Sequence, residues 1–143
     1  MPNDRVLLRA GFLLVLIAMA GGLAIQSFPN PQMGVAAHVT GLLDGLLLVA
    51  VGLAWPALRF SAGRGKLVRG LFLYAAYAAW GGAVLGAVWG TSRLTPIGGA
   101  GFHASPAKEL LVQVILVSQA AAHIVGLVFV VLALFRRADA SAG

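Results

Sequence analysis

Four long apolar stretches, separated by short polar ones, constrain this chain more than any other feature. They run over about 6–26, 35–58, 67–89 and 109–135. A helix needs roughly 20 apolar residues to cross the hydrocarbon core of a bilayer. Inside lipid, every backbone N–H and C=O must be satisfied within the fold. The pattern therefore predicts an all-α membrane protein, a single-domain bundle of four transmembrane helices. Composition supports this. Of the 143 residues, 60% are hydrophobic and 10% charged, whereas about a quarter of an ordinary soluble domain is charged. The first stretch opens with Arg5 and Arg9, as a signal peptide does. It is longer than a typical signal core, and no clear small-x-small cleavage site precedes Pro29, so it is expected to be a retained span.

The positive charges stand at the ends of the apolar stretches. Arg5, Arg9, Arg59, Arg64, Lys66, Arg69, Arg136 and Arg137 fall on one side of the predicted bundle; only Arg93 and Lys108 fall on the other. The bias of Lys and Arg toward one side predicts both termini in the cytoplasm, in a bacterial-type inner membrane. The net charge of +6 forms no groove-sized basic patch, so nucleic acid is not an expected partner. The absence of cysteine excludes disulfides, thiolate metal sites and thiol catalysis. Residues 27–34 read as a tight turn and 61–66 as a short basic loop. Residues 90–108 form the longest loop, and 138–143 a disordered tail. Ser105, Pro106 and Glu109 have the pattern of a helix start.

Ionisable side chains within a span are expensive and ask for an explanation. Three stand out: His38, Asp44 and His123. His38 shares a helix face with Gly41, Gly45 and Gly52, and such a face admits a neighbouring helix or a flat ligand. Its imidazole can ligate a haem iron or hydrogen-bond at a helix interface. Asp44, roughly 120° around the helix, must be paired, protonated or in a wet cavity. It reads either as a general acid or substrate anchor, or as an inter-helix hydrogen bond. His123 in the fourth span reads as a metal ligand, a proton carrier or a structural bond. Gly82, Gly86 and Gly90 form a packing face on span three, where Tyr74 and Tyr77 need partners for their hydroxyls. Trp55 and Trp89 suit the membrane interfaces and Trp80 the core. His103 in the long loop is a weaker site candidate. No P-loop, zinc motif, nucleophile elbow or dinucleotide fingerprint is present.

Residues 37–45 (AHVTGLLDG), running on to Ala50-Val51 and Trp55-Pro56, resemble the second span of the hydroxylaminobenzene mutases. The resemblance extends to 30–34 (NPQMG), 74–90 (YAAYAAWGGAVLGAVWG), 95–103 (TPIGGAGFH) and 108–110 (KEL). The same second-span pattern is similar to styrene oxide isomerase, a more distant membrane family that is trimeric and holds haem b at subunit interfaces. The resemblance implies His38 as the axial haem ligand, with Gly41 and Gly45 beside the cofactor. The family's asparagine is replaced by Asp44, the expected acid or substrate anchor. The isomerase's catalytic tyrosine has no direct counterpart; Tyr77, about two turns away, is the expected hydrogen-bond donor. The activity that the resemblance implies is a redox-neutral rearrangement of an arylhydroxylamine to a 2-aminophenol. A small aromatic substrate would enter from membrane lipid, and a homo-oligomer, a trimer by family analogy, is expected.

Two other readings compete. In one the chain is a haem- or quinone-linked electron carrier, with His38 and His123 both on iron. In the other it is a small transporter or structural subunit whose histidines only join helices.

Overall fold

A computed structural model describes the backbone of residues 3–141 and the side chains of residues 3–136. Among the described residues, four helices are long and apolar enough to cross a membrane: α1 Arg5–Gly22, α2 Pro31–Leu58, α3 Ala62–Trp89 and α4 Pro106–Ser141. A single 3-10 turn, Ile25–Ser27, lies between α1 and α2. The expected tail begins within the last turns of α4, and its end, 142–143, lies outside the described residues.

Local chemistry shifts the helix ends by a few residues from the hydropathy limits. α1 stops at Gly22, because the Gly21-Gly22 pair has poor helix propensity and Leu23 closes the end with a bond to Ala20. α2 begins at Pro31, inside the stretch expected to be a turn. Asn30 caps it, its Oδ1 accepting from the Met33 amide at 3.1 Å, and Pro31 fills the first helical position, where a missing N–H costs nothing. α3 likewise begins at Ala62, within the expected basic loop, which shrinks to a turn at 59–61. α4 starts at Pro106 as the Ser-Pro…Glu pattern predicts. Its Glu109 also holds the long loop: the carboxylate accepts from the amides of Ser92, Arg93 and Ala104.

α2 and α3 occupy the middle of the bundle, with α1 packed on α2 and α4 on α3. The α1–α2 seam is close enough for backbone to meet backbone. A Cβ on Gly45 would come within 2.8 Å of the Gly11 carbonyl and 2.7 Å of Val15 Cγ2. One built on Gly41 would meet Ala18 Cβ and Trp80 Cδ1, each at 2.6 Å. On α3, Gly82 admits Leu116 of α4 in the same way, so this glycine face is indeed a packing face. The core is filled by Leu7, Leu14, Leu48, Val68 and Phe72, all fully buried. α4 is the most exposed of the four.

The basic end is tied by a residue that hydropathy does not flag. Asp4 caps α1, accepting from the amides of Val6 and Leu7, and its own N–H donates to Gly52 of α2 at 3.0 Å. Its Oδ2 takes Arg69 of α3 through Nη2 at 2.6 Å and Nε at 2.7 Å. The guanidinium also lies 5.6 Å from the Trp55 ring centroid. One residue thus joins three helices, α1 and α3 through its carboxylate and α2 through its backbone N–H.

Candidate active site

The two ionisable residues at the centre of the bundle face one another. Asp44 lies at the midpoint of α2 and His123 at the midpoint of α4. Asp44 Oδ1 and His123 Nε2 are 3.6 Å apart, with the side chains 15% and 17% exposed. The imidazole is oriented from its other side, where Nδ1 meets Gln119 Oε1 at 3.2 Å, one turn back along α4. Phe72 of α3 packs edge-on against the ring, with centroids 6.2 Å apart. With Nδ1–H donating to Gln119, Nε2 is turned toward Asp44. Nε2 is buried and has no hydrogen-bond partner, because 3.6 Å is too long for a direct bond.

An open groove of about 470 Å³ lies one helical turn from this pair, neither of whose side chains lines it. α2 contributes Met33, Ala36 and Thr40, α3 contributes Ala79 and Ala83, and α4 contributes Leu116 and Gln119; residues 94–98 of the long loop form its rim. The small side chains of Ala79 and Ala83 leave the room. Thr40 stands one turn from Asp44, and Gln119 both lines the groove and holds His123. The groove is thus predominantly apolar, with Thr40 and Gln119 as its polar residues on α2 and α4 and Thr95 on the rim.

His38 is on another face of α2. Its Nδ1 lies 2.8 Å from the Ala18 carbonyl of α1. A carbonyl can only accept, so Nδ1 carries the proton and Nε2 keeps its lone pair. The ring sits against Gly22, where a Cβ would approach Nδ1 to 2.6 Å. The structure therefore does not bring His38 and Asp44 into one site: one faces α1 and the other α4. Nor does it unite His38 with His123 as a pair of ligands. Gly41 and Gly45, the face expected to receive a flat group, lie under α1 of the same chain. Tyr77 donates its hydroxyl to the Ala10 carbonyl at 2.9 Å, so its donor is committed to holding α1. The hydroxyls of Tyr74 and Ser118 bond to each other between α3 and α4. His103 lines a shallow exposed recess with Arg93 and Glu109.

Asp44 is legible in the sequence as a costly carboxylate, but its partner is not. The usable signal is depth: Asp44 and His123 sit halfway along helices that start on the same side.

The fold is thus an apolar four-helix bundle with an acid–imidazole pair at mid-depth. The sequence pattern of the styrene oxide isomerase family matches residues 3–135, and the chain belongs to that family. It is 35% identical to hydroxylaminobenzene mutase HabB of Ectopseudomonas oleovorans over 118 residues, covering 82% of this chain and 72% of the relative. To hydroxylaminobenzene mutase HabA of the same organism it is 36% identical over 113 residues, covering 78% and 84%. No solved structure matches the chain.

Proposed function

We propose that this chain is an integral membrane mutase that rearranges an arylhydroxylamine to a 2-aminophenol, with Asp44 and His123 managing the protons. The observation that carries the reading is the likeness to two hydroxylaminobenzene mutases across most of the chain. The Asp44–His123 pair, one turn from the groove that Thr40 and Gln119 line, would supply the chemistry.

The reaction is an isomerisation, so no oxidant or reductant is consumed. The N–O bond breaks once its oxygen is protonated, and the oxygen leaves as water. That oxygen rejoins the ring at the ortho carbon and loses a proton. The ring C–H proton moves to nitrogen, restoring aromaticity and the amine. Asp44 in its neutral form can donate the first proton, and His123 Nε2 can accept one on return. General acid–base catalysis of this kind contributes roughly 10²–10⁴-fold. The apolar walls of the groove limit capture of the electron-poor ring by bulk water.

Haem b fits the donor chemistry of His38. Metal-ligating histidines generally donate their second N–H to a backbone carbonyl or carboxylate, and His38 does so to Ala18, leaving Nε2 for iron. Bound there, haem would supply a Lewis acid as an alternative to Asp44 for polarising the N–O bond, since the two residues do not share a site. Because α1 covers Gly41 and Gly45, the other wall of such a site falls to a neighbouring subunit, in keeping with a trimer. We place both termini in the cytoplasm of a bacterial-type inner membrane, from the concentration of Lys and Arg at that end.

The test is product analysis. Membranes containing the chain, given phenylhydroxylamine, are expected to yield 2-aminophenol; intact protein without turnover contradicts the assignment.

A further inference from the structure

A second recess, remote from the groove, lies at the basic end of the bundle. It encloses about 260 Å³ where α2, α3 and α4 converge. Three arginines from three segments stand around it: Arg59 in the turn after α2, Arg64 in the first turn of α3 and Arg136 near the end of α4. Its walls are apolar, with Leu58 and Phe60 buried and Phe129 and Leu132 contributed by α4. Among the described residues, no carboxylate lines it. Asp4 is committed to Arg69, Asp44 lies mid-helix, and Glu109 holds the loop at the other end. Asp139 lies beyond the described side chains, and the site is built on Arg59 and Arg64.

Two further observations give this recess a ligand class. Arg59 is the only non-glycine residue among those described with a positive φ, at 47°. Glycine takes that conformation without steric cost, yet the position holds a long cation at the recess. From Leu132, which lines the recess, a wholly apolar groove continues along the outer face of α4 past Ile124, Leu127, Val128 and Val131. Guanidiniums pair with phosphate in bidentate fashion, and an apolar track suits an acyl chain. A second copy inserted in the same orientation would bring its own basic end to this level, adding like charge rather than relieving it.

We propose that this end of the bundle binds an anionic phospholipid. The phosphate sits between Arg59 and Arg64, and an acyl chain follows α4 from Leu132 toward Ile124. Basic pockets between transmembrane helices hold anionic headgroups in this manner. The site is independent of the mutase reading, since it shares no residue with the Asp44–His123 pair or the groove near it.

Native mass spectrometry of the full chain, delipidated in mild detergent, tests this. The probes are phosphatidylglycerol, phosphatidylcholine with the same acyl chains, and inorganic phosphate. The native protein is expected to retain phosphatidylglycerol at least tenfold better than phosphatidylcholine. Arg59→Gln with Arg64→Gln should bring the two to parity. Removing equal charge from α1, with Arg5→Gln and Arg9→Gln, should leave the preference intact. Arg59→Gly, which relaxes the backbone and so does not threaten folding, should weaken it severalfold. Equal retention of both lipids overturns the proposal. So does an equal loss in the α1 variant, an unchanged preference in Arg59→Gly, or inorganic phosphate that the lipid fails to displace.

Discussion

A carboxylate halfway along a 28-residue apolar helix must be neutral or partnered. Asp44 finds its partner on α4, a helix distant in sequence and brought alongside only by the tertiary fold. His123 Nε2 lies 3.6 Å from its carboxylate, too far for a direct hydrogen bond and too near for an atom to fit between them. If the imidazole returns the proton, His123→Gln keeps the bulk and polarity and loses the base. Turnover is then expected to fall by roughly 10²-fold, read as aminophenol formed per folded protein. Gln119→Ala should cost less, because it frees the ring without removing it. A separate prediction concerns His38. Its Nδ1 bond to Ala18 leaves Nε2 as the candidate iron ligand, so a Soret band in the purified protein should vanish in His38→Ala. A band that persists unchanged contradicts ligation by His38. Both His38 and Asp44 are conspicuous in the sequence through the cost of polar groups in lipid. Which helix each faces is not, because the spacing within one helix carries no record of its neighbours.

At the scale of elements, hydropathy locates all four helices, and capping chemistry explains where it misses their ends. Asn30-Pro31 and Ser61-Ala62 look like turns by composition, yet each opens a helix. The glycines of α2 are legible as a close-approach face, but not what approaches. Gly45 receives Gly11 and Val15 of α1. Gly45→Leu should therefore drive α1 off α2, at a cost of about 1–3 kcal/mol for overpacking, seen as a lower melting temperature in detergent. Asp4 does not stand out in the sequence at all, since a single acid before an apolar stretch looks like ordinary interfacial charge. Asp4→Ala removes a helix cap worth about 1 kcal/mol and also releases Arg69. Thermal unfolding should register a loss larger than that of Gln119→Ala.

For the whole molecule, one end carries the basic residues and the other the long loop that rims the groove. α4, the most exposed helix, and the outer face beside His38 are the surfaces a trimer and its lipid would share. The mass of the detergent-purified protein should correspond to three chains. The central claim, however, concerns Asp44, and turnover of phenylhydroxylamine by matched membranes reports on it most directly. The native chain should form 2-aminophenol, and Asp44→Asn, folded and inserted to the same level, should form it roughly 100-fold more slowly or worse, the loss expected for a general acid. An Asp44→Asn protein as fast as the native one would contradict the account.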